Sequence, residues 1–204
     1  MTVAAPTLPP IILGSSSPFR KQLLSKLDLT FNQVSPEIDE RALDNEAPIK
    51  MVQRLAKEKA LEIAKANSNH IIITSDQCAV FNDKAIGKPH TTENAIKQLS
   101  MFSNHAVTFY TALCVHNTRT GHQYEYIDST IVHFRELGIK TIQNYLEIEQ
   151  PLRCAGSFKS EGLGVTLFNK IESRDPNALI GLPLMALTDI FYEMGYPLPL
   201  KPQN

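Results

Sequence analysis

Asp76 is the residue most plainly placed for chemistry. It follows the apolar run Ile71–Thr74 with no turn signal between. In open α/β sheets, strand ends open into the ligand crevice, where an acid serves as a metal ligand or as a general base for water. A helix cap or a solvated loop acid is the plainer alternative for the same residue. Lys59 is the second signal. It falls in the middle of the apolar stripe Val52, Leu55, Ala56, Ile63, so its ammonium must either reach out to water or meet an anion. The third is Gly14-Ser15-Ser16-Ser17-Pro18, with Arg20 close behind. Serines ahead of a helix start offer hydroxyls and free backbone N–H groups to a phosphate. Arg20 in that first turn gains nothing from the helix dipole and suits an anionic partner; a capped helix with a solvated arginine stays open beside it. Gly87-Lys88-Pro89 adds a lysine in a rigid turn, and Glu37, Asp39 and Glu40 add carboxylates fit for a hard divalent cation. Cations for phosphates and carboxylates for a metal are the requirements of phosphoanhydride hydrolysis. The residues alone therefore lead to a metal-dependent enzyme acting on a phosphorylated small molecule.

These side chains need elements to hold them. Ile11–Leu13 reads as a short buried strand, and Ser17 and Pro18 start a helix running to about Leu27. A strand is expected at Phe31–Val34 and a long helix at Pro48–Ala66. Ile71–Thr74 is a buried strand that delivers Asp76 at its end. Ala79–Ala85 reads as a hairpin turning at Asn82-Asp83, followed by a helix near Glu93–Met101. Longer strands are expected at Ala106–His116 and Gln123–Phe134, then a helix at Ile139–Glu149, a strand at Val165–Ile171 and a closing helix at Leu184–Met194. Strands alternating with helices at both ends, around a β-rich middle, predict an α/β fold with a mixed, mostly buried central sheet flanked by helices. Residues 1–10 read as an extension and 11–204 as one domain, with room for two lobes around a cleft.

Composition sets the outer limits. The 204 residues are 43% hydrophobic and 20% charged, enough for a core without staples and unlike a disordered or fibrous chain. Twenty lysines and arginines nearly cancel twenty-one acids, for a net charge of −1. No general attraction to nucleic acid or an anionic membrane surface is expected, and an anionic substrate needs a local cluster of cations. Cys78, Cys114 and Cys154 are sparse and unpaired in spacing, which fits reduced thiols in a cytoplasmic protein. The apolar run near the N-terminus is too short for a signal peptide or a membrane span.

Taken in order, IILGSSSPFRKQLL, SPEIDE, RLAKEKA, SDQ, GKP, and GSFKSEGLG with NALIGLPL resemble the Maf family of nucleoside triphosphate pyrophosphatases over about Ile11 to Gly195. Ser-Pro-Phe-Arg and Ser-Phe-Lys-Ser-Glu-Gly are similar to the subfamily that hydrolyses 7-methyl-GTP. The resemblance implies a fold shared with inosine-triphosphate pyrophosphatases and a divalent cation, magnesium or manganese. It also implies cleavage between the α and β phosphates. It places the catalytic acid on Asp76 and the phosphate-binding groups on Ser15, Ser17, Arg20, Lys59 and Lys88. The acidic metal-site residue falls on Glu37 together with Asp76, and the substrate-selecting positions on Phe19, Gln77 and Glu161. Phe19 stands where this subfamily often carries tryptophan. A small-molecule nucleotide is the implied partner, and a homodimer is admissible.

The subfamily assignment is physically coherent. Methylation at N7 makes guanine cationic, so an aromatic face such as Phe19 gains a cation–π attraction. A carboxylate such as Glu161 accepts from the guanine N1–H and exocyclic amine. A dTTP or UTP pyrophosphatase of the same family is the enzymatic alternative, and its pyrimidine pocket has no use for that carboxylate. A non-catalytic nucleotide-binding regulator of cell division is the alternative from another class; it would not need Asp76.

Overall fold

The computed structural model describes residues 7–200. The first six residues of the expected extension and the last four of the chain lie outside the described residues. Branched apolar runs make the centre: β1 (Ile11–Gly14) is buried throughout and lies parallel to both β2 (Phe31–Val34) and the start of β3 (Ile71–Phe81). β4 (Lys84–Ile86) folds back on β3 through Asn82 and Asp83, both at positive φ (50° and 61°), the tight-turn geometry that asparagine and aspartate tolerate. β5 (Ala106–Asn117), β6 (His122–Phe134) and β7 (Phe168–Glu172) extend the sheet antiparallel, in the order β2-β1-β3-β5-β6-β7.

Two-residue periodicity sorts the strand side chains onto two faces. Ile11, Leu13, Ile71, Ile73, Leu113 and Val115 pack with α1 (Pro18–Ser25) and α6 (Leu184–Glu193). Ile12, Ile72, Ala112 and Cys114 pack with the apolar stripe of α2 (Pro48–Ala64) on the opposite face. At the far end of the long strands, Phe81, Val107, Phe109, Val132 and Phe134 pack with α3 (Thr92–Phe102) and α4 (Ile139–Glu149). A short helix, α5 (Pro176–Ile180), lies ahead of α6.

Three expectations need correction. β3 does not stop before Asp76 but runs on through Phe81, because β5 pairs with it continuously from Ile71 to Val80. Val165 is not in a strand: Leu163–Leu167 is a 3-10 turn and β7 begins only at Phe168. The reason is that Gly164 presses its backbone onto the Lys159 carbonyl, where a Cβ would come within 2.2 Å, so the chain is still turning there. Helices α1 and α2 end two residues earlier than expected, at Ser25 and Ala64.

Candidate active site

The correction to β3 explains the site. One edge of β3 pairs with β1 up to Thr74 and with β4 from Ala79 onward. Between them, Ser75–Cys78 has no strand on that edge among the described residues while β5 still holds the other. Where β1 stops, the sheet opens, and a cleft of about 1050 Å³ fills the gap. Successive residues on β3 point to opposite faces, so Asp76 enters the cleft from the α2 side and Gln77 from the side of α5.

Lys59 meets an anion rather than reaching for water. It is 5% exposed, and its Nζ donates to Asp76 Oδ1 at 2.6 Å and lies 2.7 Å from Glu40 Oε1. Two carboxylates thus face one ammonium, Asp76 from β3 and Glu40 from the loop that follows β2. Burial raises the Glu40 pKa, but the hydrogen bond and charge of Lys59, with Lys88 and Arg20 nearby, outweigh it and leave the group below its ordinary value. Glu37 is exposed on the same loop and does not line the cleft, and Asp39 is drawn to Arg41 instead, at 2.6 Å. The acidic segment therefore brings Glu40 to the cleft, not Glu37.

The serine loop is built around its own hydroxyls. Ser15 Oγ accepts from the Ser17 N–H, and Ser17 caps α1 by accepting from the Arg20 N–H. Gly14 is required at the strand end because a Cβ would meet the Thr74 and Ile63 side chains at 2.5 and 2.6 Å. Arg20 turns into the cleft: Nε donates to the Gly181 carbonyl at 2.9 Å and Nη1 reaches Ser15 Oγ at 3.5 Å. Withdrawal from water lowers its pKa, opposed by the charges of Asp76 and Glu40. Ser15, Ser17, Phe19, Arg20, Lys59, Asp76, Gln77, Lys88 and Glu161 all line the one cleft.

Sequence reasoning missed the platform beneath these groups. The carbonyls at the end of α5 collect four donors: Gly181 accepts from Arg20 and from Ser75 Oγ, while Ala178 and Leu179 accept from Gln77 Nε2 and Ala178 also from Thr111 Oγ1. With Nε2 spent on these carbonyls and on Thr111, Gln77 presents its amide oxygen as the acceptor left for a ligand. Asp175 at the head of α5 accepts from the Asn177 N–H and, across the turn, from the Met185 N–H that opens α6. Asp175-Pro176 followed by Gly181 is an ordinary cap–proline–glycine signature, and it was the available clue.

Among the described residues, no three His, Cys, Asp or Glu side chains cluster as a metal cage. Magnesium asks for less: one or two carboxylates plus phosphate oxygens from the substrate. Asp76 and Glu40 meet that requirement, being hard oxygen donors converging on one positive charge.

Residues 10–194 match the family described as Maf-like protein. A 7-methyl-GTP pyrophosphatase of Alcanivorax borkumensis is 51% identical over 98% of this chain and 100% of its own length. Proteins of the same name from Hydrogenovibrio crunogenus and Aliivibrio fischeri are 52% and 50% identical, over 94% and 91% of this chain and 96% of each relative. Among solved structures, a HAM1 protein from Coxiella burnetii shares the fold with a TM-score of 0.53 at 13% identity, over 92% of this chain and 100% of that one. With the family matched over nearly its whole length and half its residues identical to those relatives, the chain belongs to the Maf-like protein family.

Proposed function

We propose that this chain is a nucleoside triphosphate pyrophosphatase that hydrolyses 7-methyl-GTP to 7-methyl-GMP and pyrophosphate, with Asp76 as its catalytic residue. The observation that carries the reading is the single cleft in which an acid on a buried ammonium (Asp76 on Lys59), two further cations (Arg20 and Lys88), an aromatic ring (Phe19) and a carboxylate (Glu161) are assembled. The names of the half-identical relatives support the same reading.

The residues divide the work by chemistry. Asp76, Lys59 and Glu40 together carry one net negative charge, which alone would repel a triphosphate. Arg20 and Lys88 offset that repulsion: Arg20 offers a planar fork to phosphate oxygens and Lys88 a point charge. Asp76 takes the proton of a water as its oxygen bonds to the α phosphorus. The bond from that phosphorus to the bridging oxygen breaks, and pyrophosphate leaves with the electron pair. Lys59 holds the Asp76 carboxylate in place throughout. Asp76 and Glu40 are the residues that would hold a divalent cation. When bound, such an ion neutralises charge developing on the phosphates and acidifies water. Phe19 stacks on the cationic methylated base, and Glu161 accepts from its N1–H and amine.

The setting we assign is the cytoplasm, in keeping with three cysteines that are all free thiols. No helix among the described residues is long and apolar enough to cross a membrane. The test is a pyrophosphate-release assay with purified protein and magnesium against 7-methyl-GTP, GTP, dTTP and UTP. The reading expects the highest kcat/KM on 7-methyl-GTP. Preferential turnover of dTTP and UTP would replace it with the pyrimidine activity, and no turnover of any triphosphate would leave a nucleotide-binding protein without catalysis.

A further inference from the structure

Glu161 is exposed and lines the cleft, and its side-chain hydrogen bond among the described residues is with the neighbouring Ser160, at 3.5 Å. A carboxylate on an exposed loop selects a base well only if the loop is held, since an error of about 1 Å in placement costs up to a hundredfold in rate. The restraint is visible on both sides of it. On the N-terminal side, Lys159 donates its backbone N–H to Tyr145 Oη at 3.0 Å, and its Nζ donates to the Glu149 carbonyl at 2.7 Å and to Glu149 Oε1 at 3.1 Å. On the C-terminal side, the Leu163 N–H donates to the other oxygen of the same carboxylate, Glu149 Oε2, at 2.8 Å. One carboxylate at the end of α4 thus grips the chain two residues before and two residues after Glu161.

The surroundings are shaped to that grip. A Cβ on Gly162 would lie 2.6 Å from Glu149 Oε2, and one on Gly164 would lie 2.2 Å from the Lys159 carbonyl. Only glycine lets the loop close so tightly at both positions. Phe158, next in line before Lys159, is anchored in the core against Phe109, Phe134 and Phe168. The Lys159 ammonium also sits at the last carbonyl of α4, where the helix dipole favours a cation. The pair is mostly shielded, the side chains being 24% and 16% exposed. The Leu163 N–H and Lys159 hold Glu149 ionised by keeping its pKa below the ordinary value against the cost of burial. Glu149 itself does not line the cleft; Lys159 does, with its ammonium bonded to Glu149.

We infer that Glu149 and Lys159 are positioning residues for base selection: their ion pair, with the Leu163 tether, fixes the backbone from which Glu161 reaches the methylated guanine. The inference rests on the reading of Glu161 given above. The experiment compares steady-state kcat and KM of wild type, Glu149→Gln, Lys159→Met and the double variant on 7-methyl-GTP and UTP, with thermal unfolding of each. Glu149→Gln keeps the shape of the side chain and removes its charge. It should lower kcat/KM on 7-methyl-GTP by on the order of tenfold, chiefly through KM, and leave UTP within about twofold. Lys159→Met should do the same, and the double variant should lose little more than either single one, because both break one unit. Lys159→Arg, which keeps the charge, should recover most of the preference. If both substrates lose equally in Lys159→Met, the lysine serves the phosphates or the fold and the inference is wrong. If wild type prefers 7-methyl-GTP and Glu149→Gln keeps that preference, the clamp is refuted while the reading of Glu161 stands. If wild type has no such preference, the reading of Glu161 falls and the clamp with it.

Discussion

At the scale of single residues, Lys59 and Asp76 decide what the cleft can do. A lysine with 5% exposure is tolerated only with compensation, and the compensation here is double: Asp76 and Glu40 on one ammonium. That redundancy makes a clean test of Asp76 feasible. Asp76→Asn keeps the volume and leaves Lys59 paired with Glu40, so the fold should survive with a small change in Tm. Activity should not, because the amide cannot take a proton from water. A loss of two to four orders of magnitude in kcat on 7-methyl-GTP is expected; near-wild-type turnover would remove Asp76 from the catalytic role. Lys59 was legible in the sequence as a cation on an apolar stripe, since helical periodicity alone exposes the mismatch. Glu40 was not separable from Glu37 and Asp39 by the same means. Spacing along a loop says nothing about which carboxylate turns inward, and Arg41 captures Asp39 in a way no periodicity reveals.

At the scale of elements, two devices outside the cleft hold its lining groups in register. The first is Asp175, whose carboxylate caps both α5 and α6. Each cap is worth about 1 kcal/mol, and losing the acceptor also leaves two part-buried N–H groups, those of Asn177 and Met185, without it. Asp175→Ala should therefore cost roughly 2–3 kcal/mol and lower Tm by roughly 4–12 °C for a chain of this size. It should also weaken activity, since Arg20 and Gln77 are oriented by carbonyls of α5 and the turn after it. A drop in Tm with unchanged kcat/KM would mean that the platform is not needed for geometry. The second device straps the acidic loop down. Arg54 on α2 donates to both oxygens of Glu46 and to the Arg41 carbonyl, one residue from Glu40. The Arg54 hydrogen bond depresses the Glu46 pKa from 4.5 to about 2. A group with a depressed folded-state pKa stabilises fully above its unfolded value and loses that contribution as pH falls toward the folded one. Wild type should thus exceed Glu46→Gln in urea midpoint at pH 7, and the gap should shrink steadily between about pH 4.5 and pH 2. A gap that is constant with pH would mean the pair contributes by shape rather than charge.

Those elements were unequally readable. β2 and α4 fall where the sequence places them: Phe31–Val34 pairs in parallel with β1, and Ile139–Glu149 starts after Gly138 and ends at Gln150, just before Pro151. The end of β3 was misplaced because a strand edge can lose one partner and keep the other, and its pairing with β5, from Asp76 with Ala112 to Val80 with Thr108, is too distant in sequence to carry a local signal. The strand at Val165 failed for a related reason: β-branched composition favours a strand, but the close packing of Gly164 on Lys159 overrides propensity.

At the scale of the whole molecule, the cleft exists because the sheet is long on one side of β3 and broken on the other. Its walls come from structures that share few contacts otherwise: the serine loop and α1, the loop carrying Glu40 with α2, the β4 hairpin with Lys88, and the segment of Cys154 to Glu161 packed on α3 and α4. On the function proposed above, a nucleotide lying along the cleft would touch all of them, with phosphates toward Arg20 and Lys88 and the base toward Phe19 and Glu161. A ligand that binds only the folded state adds RT ln(1 + [L]/Kd) to stability, about 2.7 kcal/mol at a hundredfold excess over Kd. For a chain of this size that corresponds to a rise in Tm of roughly 5–11 °C. The proper probe is a 7-methyl-GTP analogue with a methylene in place of the α–β bridging oxygen, which cannot be cleaved there. Scanning calorimetry with magnesium should show one transition moving upward with ligand, since the walls at both ends of the sheet are fastened together. Were the ligand to occupy only one wall, the signature would differ: a modest shift in part of the transition, with the remainder melting where the free protein melts. The same titration with the UTP analogue separates phosphate from base recognition. A smaller shift at the same free ligand concentration measures what Phe19 and Glu161 add, and equal shifts would place all of the binding on the phosphates.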